Sequence, residues 1–381
     1  MGLGRNGGIA LAVQAVVVAA VVAQVAYTNI DWNAYMEQVA AVAAGERDYS
    51  RIRGDTGPLV YPAGHVWLYS LLAPLPLRTV QWLFAALLLG TSAAVLLLAA
   101  RLEPRGPPLW AALLLVASRR ATSVFVLRLF NDGPAALLLY AALVAGASPL
   151  ATLLLSAACA VKMSALLALP GYGAVLLRRG GWGTALRHAA LFLALQAALG
   201  LPFLAAAPAA YLGRAFELTR VFEHRWSVNW AFLPPALFVS PGLAAALLAA
   251  HAGLLLLLAH RRWGGLEALL WGPRRPPSPA FAVRAPLEAL LAGILCARTL
   301  HYQVGRDCCC FTPIHVCLSV LGSVPAGPSA AAARRPASCT PSALGRRRAR
   351  LQPLPAAPLG RPASPGRAHC LLSLCPFRPR H

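Results

Sequence analysis

Long apolar runs separated by short polar loops set the pattern of this chain. They fall at Ile9–Ala26, Leu59–Leu75, Val80–Ala100, Pro107–Ala117, Pro134–Ala145, Leu150–Pro170, Ala185–Ala206, Ala236–His260 and Ala280–Leu300. A helix needs about 20 apolar residues to cross the hydrocarbon of a bilayer. Most of these runs predict spanning helices; Pro107–Ala117 and Pro134–Ala145 reach only about half that length. Ile9–Ala26 exceeds the roughly 7–15 apolar residues of a signal peptide, so it predicts a retained anchor helix. No internal repeat or linker interrupts the pattern before residue 303. The expected fold is an all-α polytopic membrane protein with one domain over residues 1–303.

Composition agrees. Apolar residues make up 58% and charged residues 12%, against about 25% charged in soluble domains. Mean hydropathy is +0.62. The net charge of +22 is spread in short clusters between apolar runs, which fits the positive-inside rule and no nucleic-acid partner. Arg178-Arg179, Arg187, Arg261-Arg262 and Arg274-Arg275 mark cytosolic loops. Lys162 is the only lysine, and the arginine bias reads as GC-rich codon usage. Seven of nine cysteines lie in the last 78 residues at no zinc-like spacing. Cys159 and Cys296 sit in apolar runs and read as small buried hydrophobes.

Chemistry concentrates in the loop after the first run. Of twelve acidic residues, five fall between Asp31 and Asp55: Asp31, Glu37, Glu46, Asp48 and Asp55. With Arg47, Arg51 and Arg53 the loop carries net −2, the opposite of the basic loops, and reads as lumenal. Asp31, Tyr35 and Gln38 follow an i, i+4, i+7 rhythm on one helix face. A carboxylate beside Trp32, Tyr35, Tyr49 and Tyr61 suits sugar handling: aromatic faces stack on pyranose C–H groups and the carboxylate takes a hydroxyl proton. An interfacial amphipathic helix with an aromatic belt shows the same pattern. Gly54-Asp55-Thr56-Gly57-Pro58 is turn chemistry.

Further along, Arg128, Asn131 and Asp132 lie in FVLRLFNDGPA. The four-residue spacing of Arg128 and Asp132 allows a local ion pair, or an arginine facing an anion. Lys162 sits within an apolar run, either as a phosphate partner or as a snorkelling helix-end residue. Tyr211–Pro234, with His224 and Trp230, reads as an interface helix or as a wall of the lumenal site; His224 has no H-x-x-x-H partner for a metal.

IDWNAYMEQV, GDTGPLVYPAG, FVLRLFND, VKM, YLGRAFEL, VNWAFLP and ARTLHYQ together resemble one family, the dolichyl-phosphate-mannose-dependent α-1,3-mannosyltransferases of the endoplasmic reticulum. The resemblance covers about residues 25–303. It implies a GT-C-like multi-helix bundle with an active site in lumenal loops of the endoplasmic reticulum membrane. It also implies inverting transfer from dolichyl-phosphate-mannose to the five-mannose dolichol-diphosphate oligosaccharide, with no nucleotide sugar, cofactor or metal. Asp31 matches the first-loop carboxylate expected as general base, and Glu37 is the second catalytic candidate. Trp32, Tyr35, Asp55, Tyr61, Arg128, Asn131, Asp132, Lys162, His224, Trp230 and His301 are the candidate substrate-binding residues.

The chain departs from the family pattern at three places. Gly133 precedes Pro134 after FND, and Ser164 follows VKM where Asn is expected. After His301-Tyr302-Gln303 the chain turns to VGRDCCC and then to a tail with twelve prolines, eleven arginines and one acid, Asp307. Such a composition predicts disorder. Every valine codon begins GT, the start of a normal intron, so residues 304–381 read as intron read-through after Gln303. A catalytically inactive truncated form is therefore the alternative function. A transporter is the third reading; it should scatter intramembrane charge over several helices.

Overall fold

The computed structural model describes residues 3–102, 106–217, 223–224, 227, 229–272 and 276–298. His301, Arg274-Arg275 and the tail expected at 304–381 lie outside the described residues. The fold is all-α, as expected, apart from one small hairpin. Helix α1 (Gly4–Gln24) is followed by α2 (Trp32–Ala43), the strands β1 (Arg53–Gly54) and β2 (Gly57–Pro58), and α3 (Ala63–Leu72). Then come α4 (Leu77–Leu102), α5 (Leu109–Val116), α6 (Arg119–Thr122), a π-turn over Ser123–Leu127, α7 (Asp132–Ala145) and α8 (Pro149–Val161). A 3₁₀ segment (Met163–Ala168) leads into α9 (Leu169–Ala206), α10 (Pro208–Ala215), α11 (Pro235–Phe238), α12 (Pro241–Arg261), α13 (Leu266–Leu270) and α14 (Pro279–Leu295).

Five helical stretches among the described residues are long and apolar enough to cross a bilayer: Gly4–Gln24, Leu77–Leu102, Leu109–Leu127, Met163–Ala206 and Pro241–Arg261. The pattern misjudged several boundaries. Pro107–Ala117 looked half a span long, but helical structure resumes beyond Arg119 and Arg120 and reaches Leu127. The run Leu59–Leu75 yields only the ten-residue α3, because Pro62 precedes it and fixes an extended entry. Leu150–Pro170 is not one helix: Lys162 adopts extended geometry and divides it. Cys159 is buried as expected, whereas Cys296 is half-exposed.

Helix starts follow from the sequence. Ser148, Ser240 and Ser278 each precede a proline, and each hydroxyl caps its helix by accepting from the amide three residues on, at 3.1, 3.2 and 3.1 Å. Proline at the first helical position costs nothing there, because that amide has no partner anyway. In α9, Gly181 takes φ +67°, and with Gly180 it breaks the helix in two. Only glycine enters that left-handed region without strain.

Ties between elements sort the residues into two ends. At one end, the Thr28 amide donates to the Leu127 carbonyl (2.9 Å) and Trp67 Nε1 to the Leu199 carbonyl (2.8 Å). At the other, Asn6 Nδ2 reaches the Pro107 carbonyl (3.3 Å) and Arg101 Nη1 the Val144 carbonyl (2.6 Å). Asp31, Asp132 and the Lys162 break belong to the first end; the Arg178-Arg179 turn belongs to the second.

Close backbone approach holds the first end together. A Cβ on Gly64 would lie 2.6 Å from Ala160 Cβ and 2.8 Å from its carbonyl carbon, so α3 rests directly on the last turn of α8. One on Gly54 would lie 2.6 Å from the Ala34 Cα, which seats the hairpin on α2. Gly64→Val should therefore lower the melting temperature of detergent-purified protein by several degrees, as overpacking costs about 1–3 kcal/mol. Gly173→Ala, with nothing within 4 Å, should change little. A Gly64→Val protein as stable as the parent would contradict this packing.

Candidate active site

Asp31 stands at the N-cap of α2, yet its side chain makes no capping hydrogen bond. Its backbone carbonyl accepts from the Tyr35 amide (2.9 Å), which starts the helix, and the carboxylate is left for other work. The side chain is half-buried. Burial raises its pKa above the ordinary 3.8; Lys162 pulls it down, while Asp132 and Asp55 push it up. Four charged groups from distant parts of the sequence thus share one electrostatic neighbourhood.

Lys162 and Asp132 form the centre of that neighbourhood. Lys162 Nζ donates to Asp132 Oδ2 at 2.5 Å, with side-chain exposures of only 21% and 17%. Two chain breaks create this pair. Lys162 leaves α8 with φ −150° and ψ 120°. On the facing strand of chain, Leu129 takes φ +54°, a left-handed conformation unusual for a residue with a branched side chain. The Tyr69 hydroxyl donates to the Leu129 carbonyl at 2.6 Å and holds the bend. The expected local Arg128–Asp132 pair is not what the carboxylate makes. The bend at Leu129 removes the helical turn that such a pair needs, and Asp132 instead meets Lys162 across α7 and α8. Gly133, where the family pattern has proline, lies where a Cβ would sit 3.0 Å from the Phe125 ring.

Aromatic rings wall the site. Tyr35 lies edge-on to Tyr61 (centroids 5.8 Å), to His65 (4.7 Å) and to Tyr69 (4.8 Å), and Trp32 packs against Tyr69 at 5.8 Å. Burial raises the pKa of the Tyr35 and Tyr61 hydroxyls, so both remain neutral donors. His65 is fully buried between these rings. Its Nδ1 pairs with Asn131 Nδ2 at 3.4 Å. The amide is the donor there, so the imidazole proton sits on Nε2, which has no partner among the described residues. Burial first, then Lys162, pushes the His65 pKa down to about 3, keeping the ring neutral.

The structure thus brings together Asp31, Trp32, Tyr35, Tyr61, Asn131, Asp132 and Lys162, and leaves other candidates elsewhere. Glu37 is exposed on another face of α2, and its Oε2 accepts from the Asp55 amide at 2.7 Å. Gln38 Nε2 reaches the Gly57 carbonyl at 3.4 Å, so both residues fasten the hairpin to α2. Asp55 is exposed and acts on Asp31 only through its charge. Arg128 is half-buried at the end of the π-turn. Trp230 Nε1 donates to the Ala297 carbonyl (2.9 Å) and His224 packs edge-on to Phe238 (5.1 Å). Neither contact includes a member of the Asp31 cluster. Ser164 is exposed just past Lys162. His65 and Tyr69 escaped the sequence reading; a histidine inside the apolar run Leu59–Leu75 was the available signal.

A double-mutant cycle tests the central pair. Lys162→Met or Asp132→Asn alone breaks this half-buried ion pair from one side. Each should destabilise by about 2 kcal/mol, below the cost of breaking a fully buried pair. The double variant should lose clearly less than the sum. Strictly additive losses in chemical denaturation would show that the two side chains do not interact.

Comparison with known proteins places this sequence in a family. The ALG3 protein family matches residues 8–322. The match extends beyond the expected 25–303 at both ends, so the resemblance does not stop at Gln303 and the change expected there rests on composition alone. A human protein is 41% identical over 301 residues, covering 74% of this chain and 68% of its own length. One from Neurospora crassa is 39% identical over 328 residues (76% and 72%), and one from Arabidopsis thaliana 40% over 319 (76% and 72%). All three are named Dol-P-Man:Man(5)GlcNAc(2)-PP-Dol alpha-1,3-mannosyltransferase. No solved structure matches the chain. With a family match over most of its length, five apolar helices of spanning length and a lysine–carboxylate centre at one end, this multi-pass membrane protein belongs to the ALG3 protein family.

Proposed function

We propose that this chain transfers mannose from dolichyl-phosphate-mannose to the five-mannose dolichol-diphosphate oligosaccharide, forming an α-1,3 linkage, in the endoplasmic reticulum membrane with its site facing the lumen. The observation that carries the mechanism is an uncapped, half-buried Asp31 in the electrostatic neighbourhood of the Lys162–Asp132 ion pair. The family match and the relatives' names support the chemistry.

Asp31 accepts the proton of the acceptor hydroxyl as its oxygen attacks the anomeric carbon. The bond from that carbon to the phosphate oxygen breaks on the opposite face, and dolichyl phosphate leaves with the electron pair. Charge grows on the phosphate in the transition state, where a fixed ammonium such as Lys162 is worth most. Asp132 holds that ammonium in place. Tyr35, Tyr61 and the buried N–H of His65 offer neutral donors and ring faces to sugar. Glu37, engaged with the hairpin, positions the loop.

The residues 304–381 are proposed, from their composition, to be intron read-through. Long-read transcript sequencing tests it. Transcripts that join Gln303 to a further hydrophobic segment are expected; transcripts that all encode VGRDCCC would overturn the read-through reading.

Asp31→Asn should reduce transfer by at least the roughly 10²-fold attributed to general-base help. The same change should not lower stability. The folded-state pKa is raised, so the ionised carboxylate costs folding energy at every pH above that value, and the amide removes this cost. The parent's rate should rise with pH through an acid limb lying above 3.8. Microsomal transfer assays and thermal melts read all three. A variant with transfer within a few-fold of the parent would sink the Asp31 assignment.

A further inference from the structure

At the end away from Asp31, a cleft of about 340 Å³ lies between the α7–α8 turn and the second half of α9. Arg179, Thr184, Arg187, His188, Pro149 and Leu191 line it, and no carboxylate does. Its walls are fixed by hydrogen bonds. Arg179 Nη1 donates to the Ala147 carbonyl. Arg187 donates from Nε to the Gly183 carbonyl (3.1 Å) and from Nη2 to Thr184 Oγ1 (3.4 Å). His188 Nδ1 meets Thr152 Oγ1, which also bonds the Tyr172 hydroxyl at 2.8 Å. A guanidinium carries five N–H donors, so these bonds leave several on each arginine for an anion. Two arginines facing one cleft with no acid between them repel each other, and an anionic guest removes that cost.

The surroundings identify the guest as a lipid rather than a free anion. The opposite face of this α9 arm carries Leu186 and Leu193, seven residues apart and each 63% exposed, an outward apolar face that suits hydrocarbon. Trp182, 44% exposed, sits at the start of the same arm, in the position that aromatic residues take at the membrane–water boundary. The arm that lines the cleft therefore lies against the bilayer, and the cleft opens at the level of the lipid headgroups. Basic pockets between helices are a known means of holding anionic headgroups. We propose that this cleft binds the phosphate of an anionic membrane lipid, at the opposite end of the bundle from the transfer site.

Native mass spectrometry of the full chain in phosphatidylcholine nanodiscs doped with phosphatidylinositol tests the assignment. The parent should retain phosphatidylinositol in preference to phosphatidylcholine. Arg187→Gln should weaken that preference about fivefold, the effect of one cation at a lipid surface, while Arg187→Lys should keep most of it. Arg261→Gln, an exposed arginine at the end of α12 outside the cleft, should leave it unchanged. Equal losses in Arg187→Gln and Arg261→Gln would show a general surface-charge effect and overturn the site. Protection of the parent against thermal unfolding by inorganic phosphate, without any lipid preference, would overturn the lipid assignment.

Discussion

A single ammonium in a half-buried place governs how this molecule is built. Lys162 interrupts an apolar run, and an unpaired cation there would cost several kcal/mol. Asp132 relieves that cost only if the end of α8 and the start of α7 meet, which requires the extended residue at 162 and the left-handed residue at 129. The strain at Leu129, of order 1–2 kcal/mol, is offset by the Tyr69 hydrogen bond and by the pair itself. Strained backbone concentrated where charge is gathered is typical of functional sites.

Asp31 reaches the same place by a different route. It belongs to a loop, not to the bundle, and is positioned by α2. That helix is pinned from outside by the β1–β2 hairpin through Glu37, Gln38 and the close approach of Gly54 to Ala34. It is pinned from inside by Trp32 and Tyr35 against the α3 aromatics. Rigid seating keeps a half-desolvated carboxylate from relaxing toward water, so its raised pKa and its orientation have one cause. Two separate supports, one for the carboxylate and one for the ammonium, thus hold both groups in one electrostatic neighbourhood.

Much of this was legible in the sequence. The apolar runs located the long helices. The rhythm of Asp31, Tyr35 and Gln38 put α2 in the right place, and the scarcity of acids pointed to its loop. Helix breaks were not legible: no Gly or Pro marks Lys162 or Leu129, because tertiary pairing imposes those conformations. For the same reason the pairing of Asp132 with Lys162, thirty residues away, could not be read from the local spacing of Arg128 and Asp132. His65 was hidden because the run around it reads as simple membrane core. Glu37 was the second catalytic candidate, and the helix face sets it apart from Asp31.

The account centres on Lys162 as the phosphate-facing cation and Asp31 as the group that meets the acceptor. The most direct measurement is a cryo-electron microscopy structure of the full chain with a non-transferable dolichyl-phosphate-sugar analogue. The account predicts the phosphate within hydrogen-bonding distance of Lys162 Nζ, and the anomeric carbon turned toward Asp31. A phosphate held elsewhere, out of reach of Lys162 Nζ, would contradict it.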